Sequence, residues 1–296
     1  MKMFKKFLAL LICAACLMAG CVDQSGGREQ GTGTIAATSV AVMEICDRLD
    51  LELVGVPLTQ LTDIPEKYAD ATVVGTPMAP DMEILSQLSP EWVLSPNSLQ
   101  SDLQPKYEAA GLKYGFLNLR TVFGMFQSIE DLGVLFDREK EAQALVDEFN
   151  TYYEKYRDSH GDQDAPRVLV LMGLPGSYVV ATENSYVGSL VELAGGVNVY
   201  AGTDQEFLNV NTEDMLQKDP DLILRTAHAL PDSVMKMFAE EFKTNDIWKH
   251  FSAVKNNRVY DLDHSCFGMS ANFNYPQALE VLDGIFYGET QGGAGQ

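Results

Sequence analysis

Thr76-Pro77-Met78-Ala79-Pro80-Asp81-Met82-Glu83 leads into a pattern that the chain uses twice. From Glu83 it reads Glu83, Leu85, Gln87, Pro90, Val93, Leu94; from Glu213 it reads Glu213, Met215, Gln217, Pro220, Ile223, Leu224, at the same relative spacing. In each copy an acidic first turn predicts a short helix, and Pro-Glu or Pro-Asp predicts a turn. Trp92-Val93-Leu94 or Leu222-Ile223-Leu224 then predicts a buried strand. A unit that occurs twice predicts two similar lobes.

Working outward from the first copy, Ile35-Ala36-Ala37, Leu53-Val54-Gly55-Val56 and residues 72–74 and 113–117 read as strands. Thr38-Ser39 supplies an N-cap, after which Val40, Val42, Met43, Ile45, Cys46 and Leu49 recur with helical spacing. Strands alternating with helices predict a parallel-sheet, Rossmann-like α/β lobe over residues 34–121. Residues 122–135 and 138–156 are helical in pattern, the second with Ala142, Leu145, Val146, Phe149, Tyr152 and Tyr153 on one face. Residues 122–160 thus form a connecting segment whose long helix acts as a stiff strut, unlike a Gly/Ser hinge. Around the second copy, strands at 167–172, 178–181, 197–200 and 259–262 and helices at 187–194, 233–242 and 276–286 predict another α/β lobe over residues 161–288. The predicted architecture is α/β, two Rossmann-like lobes with a ligand cleft between them, and residues 289–296 read as a flexible tail.

The chain has 296 residues, enough for two lobes with real cores, and 46% hydrophobic content with 12 prolines marks it as globular. Its 42 acidic residues against 21 basic ones, a formal charge of −21, repel polyphosphate and argue against nucleic acid as a partner. The same acidity also serves simple solubility. At the N-terminus, Lys2, Lys5 and Lys6 precede an apolar run from Phe7 to Ala19, the pattern of a secretory signal and too short to span a bilayer comfortably. It ends in Leu17-Met18-Ala19-Gly20-Cys21, which resembles a bacterial lipobox. Cleavage after residue 20 would leave Cys21 as a lipidated first residue, although Met18 stands where Leu is usual. Residues 1–20 then form a signal peptide, and residues 21–33, polar and glycine-rich, a flexible tether. The alternatives are a plain cleaved signal or a short buried helix. Removal of three lysines leaves 18 basic and 42 acidic residues, a charge of −24. Cys46 and Cys266 remain as thiols that sequence alone neither pairs nor separates, with Cys46 reading as a buried apolar residue.

In open parallel sheets, ligands collect beyond the carboxyl ends of the strands. Met78 lies a few residues past the strand at 72–74, and His228 a few residues past the one at 222–224. If the lobes face one another, a thioether and an imidazole approach a shared ligand from opposite sides, which suits the axial positions of a haem iron. Taken singly, Met78 between two prolines also reads as a packed loop residue, and His228 as a hydrogen-bonded structural histidine. Of the other histidines, only His264 in Asp263-His264-Ser265-Cys266 competes as a second ligand.

Val74-Gly75-Thr76-Pro77-Met78, Arg225-Thr226-Ala227-His228, residues 241–248, Ala253-Val254-Lys255-Asn256-Asn257-Arg258-Val259-Tyr260 and Phe267-Gly268-Met269-Ser270-Ala271-Asn272 resemble the haem-binding lipoproteins of iron-regulated surface determinant transporters. These belong to the class III substrate-binding proteins, with siderophore and corrinoid binders. The resemblance covers nearly the whole mature chain. The Val-Lys-Asn segment marks only the broad class, whereas Thr-Pro-Met and Thr-Ala-His point to haem. It implies two α/β lobes joined by a single long helix, haem as transported ligand, and Met78 and His228 as its axial ligands. It also implies a monomer on the outer face of the cell membrane, upstream cell-surface haem carriers, and ABC permease subunits as partners. Permease docking in this class uses one exposed acid per lobe, and Glu83 and Glu213 hold matching positions. An acid in a first helical turn is stabilised by the helix dipole in any case. The haem propionates find candidate partners in the helix start Ser39-Val40-Ala41, and Phe267, Met269 and Tyr275 are candidate pocket residues; ordinary capping and packing explain the same residues equally. Two rival readings are another cargo, a ferric siderophore or corrinoid, with Arg225 the obvious cation for an anionic one, and an exported enzyme with His228 as base. The enzyme reading lacks a G-x-S-x-G, H-E-x-x-H or P-loop partner.

Overall fold

The computed structural model describes residues 33–59, 62–160 and 164–288. The predicted signal peptide, Cys21, all of the tether but Gly33, and the tail lie outside them. Among the described residues no helix is long and apolar enough to cross a membrane.

The first lobe begins with β1 (Ile35–Ala37), whose three residues are all buried. At its end the Ser39 hydroxyl accepts a hydrogen bond from the Val42 N–H (3.3 Å) and starts α1 (Val40–Arg48), which buries Val42, Met43, Ile45 and Cys46. There follow β2 (Leu53–Val56), β3 (Thr72–Val73), β4 (Gly75–Thr76), β5 (Ala79–Pro80), α2 (Met82–Leu88), β6 (Trp92–Pro96), α3 (Gln100–Ala109) and β7 (Tyr114–Leu117). The sheet order is β3-β2-β1-β6-β7, parallel throughout. A parallel sheet needs cover on both faces, and the apolar runs of β1 and β6 answer that need.

After α4 (Val122–Leu135) and α5 (Glu139–His160) the second lobe comprises β8 (Arg167–Leu174), β9 (Ser177–Ala181), α6 (Tyr186–Leu193), β10 (Val197–Asn198), β11 (Phe207–Leu208), α7 (Thr212–Lys218), β12 (Leu222–Ala227), α8 (Pro231–Thr244), α9 (Ser252–Lys255), β13 (Val259–Asp261) and α10 (Tyr275–Phe286). Its sheet runs β11-β9-β8-β12-β13, with β10 also on β8. Here the alternation read from sequence is interrupted. Pro175-Gly176, with Gly176 at φ +80°, turns β8 straight back into antiparallel β9, so this sheet is mixed.

The repeat is visible in three dimensions. Asp81 caps α2 by accepting from the Glu83 and Ile84 N–H groups (3.0 Å each), and Asn211 caps α7 by accepting from Asp214 N–H (3.1 Å). Both seven-residue helices end on a left-handed residue, Ser89 (φ +47°) or Asp219 (φ +43°), and Leu85 and Met215 are their buried anchors. Each then delivers a strand paired in parallel on both sides, β6 between β1 and β7 and β12 between β8 and β13.

Both sheets feed one apolar core that includes residues of α1, α4, α5, α6 and α10, while each sheet's other face has its own smaller cluster. Along α5, Phe149 stacks on Phe126 (centroids 4.5 Å), and the Tyr152 and Tyr156 hydroxyls donate to the Pro276 and Leu279 carbonyls (3.0 and 3.2 Å).

Candidate functional site

On the first lobe, the Leu58 N–H donates to the Gly75 carbonyl (2.8 Å) just beyond β2, and β4 and β5 pair Gly75 with Pro80 and Thr76 with Ala79. Pro77 and Met78 are the two residues at the tip of this hairpin. Gly75 at φ +97° is required, since a Cβ there would lie 2.9 Å from both Ala79 O and Asp81 N. The expected loop is therefore a stiff support, and it leaves the Met78 side chain 65% exposed.

On the second lobe, β12 is longer than its apolar run Leu222-Ile223-Leu224. It pairs with β8 as far as Ala227 opposite Gly173, and His228 N–H donates to the Gly173 carbonyl (2.9 Å). His228 therefore follows directly on the strand's carboxyl end. Its ring is half-buried, Nδ1 is buried without a hydrogen-bond partner, and burial holds its pKa below the ordinary histidine value. Desolvation penalises imidazolium, so the neutral ring, the form that ligates metals, is favoured. The structural alternative of a hydrogen-bonded histidine is not what the ring shows at Nδ1. Two residues earlier, the buried Thr226 hydroxyl donates to the Phe267 carbonyl (2.6 Å) and fastens the strand end to the loop after β13. Two residues later, Leu230 is 63% exposed at φ +47°, a conformation that costs a non-glycine residue about 1–2 kcal/mol.

The remaining candidates divide. Ser39 is buried and its hydroxyl is engaged by Val42 N–H, while the Val40 and Ala41 amides belong to the first helical turn, where N–H groups have no intrahelical acceptor. Phe267 and Tyr275 are 1% and 5% exposed, inside the shared core. Tyr275 packs edge-on against Phe126, Phe149 and Tyr152, and burial pushes its hydroxyl pKa up to about 12. Met269 is only partly buried against that core. Glu83 and Glu213 are both exposed in the first turns of α2 and α7. His264 sits beside Asp263 (Nδ1 to Oδ1 3.7 Å).

Arg225 is already occupied. It holds Asp261 with two hydrogen bonds (2.6 and 2.9 Å) and lies over the Phe242 ring at 4.7 Å. Cys46 and Cys266 are buried free thiols, and burial raises Cys46 to about 12. No group of three or more His, Cys, Asp or Glu among the described residues is arranged to hold a bare metal ion. Two hollows, of about 40 Å³ beside Arg48, Phe273 and Tyr275 and about 300 Å³ beside Asp221, Asn256 and Arg258, include neither Met78 nor His228. The two lobes are joined near the strand ends by the Arg120–Glu206 ion pair (3.0 Å) and by Ala271 N–H donating to the Leu119 carbonyl (2.8 Å). Burial raises the Glu206 pKa even though Arg120 opposes the shift. The spacing of the sequence does not reveal Leu58, Leu230, this ion pair or the bond from Thr226 to Phe267, because each depends on contacts between distant positions.

The two α/β lobes thus carry their potential ligands beyond the strand ends, where open parallel sheets collect them. Residues 35–265 match the periplasmic binding protein family. The chain belongs to that family. This periplasmic binding protein is 41% identical over 285 residues to the high-affinity heme uptake system protein IsdE of Staphylococcus aureus strain Newman, covering 95% of this chain and 97% of that one. Among solved structures it is similar to an ABC transporter substrate-binding protein from Listeria monocytogenes EGD-e (TM-score 0.82, 47% identity, 86% of this chain and 98% of that one). It is equally similar in fold to S. aureus IsdE complexed with heme (TM-score 0.82, 43% identity, 87% and 100%). These relatives are uptake and substrate-binding proteins, and this periplasmic binding protein is likewise not an enzyme.

Proposed function

We propose that this periplasmic binding protein captures haem outside the cytoplasm, with Met78 and His228 as axial ligands of the iron, and delivers it to an ABC permease. The observation that carries the reading is the placing of His228: an imidazole at the end of a central strand, with a buried ring nitrogen that no protein group engages and a pKa lowered by burial. An exposed methionine on a braced hairpin of the other lobe supplies the complementary soft ligand. The likeness to an uptake protein solved with heme bound supports the same cargo.

In this reading the chain's own groups have separate tasks. Burial of an apolar macrocycle supplies most of the affinity, and iron ligation adds selectivity. The Val40 and Ala41 amides at the start of α1 orient a propionate, Ser39 keeping that turn in shape, with Met269 beside the macrocycle. Phe267 and Tyr275 stand behind the pocket and hold its wall. Glu83 and Glu213, exposed at equivalent points of the repeat, dock on the permease. Cys21 carries the lipid that keeps the protein at the membrane. An anionic siderophore is a poorer fit, because Arg225 is committed to Asp261.

The test is an absorption titration of the full chain with haemin, repeated for Met78→Ala and His228→Ala. Each variant is expected to shift the Soret band and to weaken binding by about tenfold or more, as loss of one ligand bond worth at least ~1.4 kcal/mol requires. Spectra identical to wild type in both variants would remove the proposed ligands.

A further inference from the structure

We infer that Leu58 and Leu230 are apolar walls that receive the faces of a planar macrocycle, one beside each candidate iron ligand. The inference rests on the haem reading and adds to it two residues that act on the organic ring and not on the metal.

Among the described residues few large apolar side chains are more than half exposed, and Leu58 (53%), Met78 (65%) and Leu230 (63%) are three of them. All three stand beyond the carboxyl ends of strands. Leu58 follows β2 and is tied by its N–H to Gly75, the first residue of the hairpin that presents Met78. Leu230 comes two residues after His228. Isolated exposed leucines are ordinary, but Leu230 sits on the segment that carries His228, and Leu58 is bonded to the hairpin that carries Met78.

Leu230 carries a second anomaly. Its backbone is left-handed (φ +47°, ψ +57°) and it precedes Pro231, the first residue of α8. A following proline disfavours the right-handed helical region, so the chain must turn some other way here, and Gly or Asn would accept the left-handed turn more readily than Leu. Either would also avoid an exposed apolar side chain. A residue unfavourable on both counts, adjacent to the proposed ligand, is accounted for when an apolar surface covers it in the loaded protein. Leucine offers no hydrogen bond and no charge. The occupant it selects is a flat apolar face, whatever lies at its centre.

That independence from the metal is the test. The full chain is titrated with metal-free protoporphyrin IX, followed by quenching of Trp92 and Trp248 fluorescence, and in parallel with haemin. Leu58→Asn and Leu230→Asn are each expected to weaken the metal-free ligand about tenfold, roughly 1.4 kcal/mol, and to leave the Soret position of the haemin complex unchanged. Val134→Asn, at another exposed apolar residue on α4, is expected to bind as wild type. Because Asn tolerates the left-handed region, Leu230→Asn should unfold at or above the wild-type temperature. The inference is overturned if the wild type does not take up metal-free protoporphyrin, if both leucine variants bind it unchanged, or if Val134→Asn loses as much. Failure of the ligand reading shows separately, as haemin spectra that ignore Met78→Ala and His228→Ala.

Discussion

At His228 the ring leaves water as β12 ends, and its charge becomes a matter of pH. An unfolded chain holds the imidazolium proton up to about pH 6.5, whereas the folded protein, with a lowered pKa, releases it at lower pH. Between the folded value and about 6.5 the unfolded state binds more protons, so stability rises with pH across that window and is lost as pH falls through it. Replacing His228 with Ala is therefore expected to flatten the acid side of a plot of Tm against pH; an unchanged slope would assign the dependence elsewhere. Haemin affinity should persist below about pH 6.5, further into acid than a solvent-exposed imidazole allows. The residue types Met78 and His228 are legible in the sequence. The orphaned Nδ1 is not, because it depends on which neighbours arrive.

Among elements, the β4–β5 hairpin decides whether Met78 is a ligand or a loose loop residue. Gly75→Ala would place a methyl group 2.9 Å from two backbone atoms at a φ that only glycine adopts readily. The expected cost is roughly 1–3 kcal/mol, read as a lower Tm, together with weaker haemin binding and a Soret change resembling that of Met78→Ala. A variant that binds haemin with the wild-type spectrum would show that the hairpin does not position the sulfur. Strands of two residues carry no periodicity, and Pro77 and Pro80 disguise them further, so this hairpin escapes a reading by pattern. For a related reason β12 reads as ending at Leu224. Arg225-Thr226-Ala227 lacks an apolar run, and it is pairing with β8 and the Arg225–Asp261 bond that extend it. The helices α4 and α5, by contrast, announce themselves through 14 and 22 residues of sustained spacing.

For the whole molecule, one apolar core includes residues of both sheets and of α5. Elements that share a core lose it together, so calorimetry is expected to show one unfolding transition for residues 34–288. Two separated transitions would mean that each lobe keeps its own core. A shared core also argues for modest lobe movement on loading. The acids of the repeat belong to this scale too. Glu83→Ala with Glu213→Ala is expected to leave haemin titration unchanged and to abolish uptake through the permease in reconstituted membranes. Uptake at wild-type rate would leave those exposed carboxylates with only their helix-dipole role.

The sequence by itself determined the repeat, the α/β alternation, the long helix α5 and the pair of residues past the strand ends, because each is written in local spacing and side-chain chemistry. Tertiary structure alone decided that Phe267 and Tyr275 belong to the core, that Arg225 is spent on Asp261, and that His228 is desolvated while Met78 and Leu230 stay open to solvent. Burial is a property of what packs against a residue, and contacts between positions as far apart as Thr226 and Phe267 leave no mark in the spacing of either.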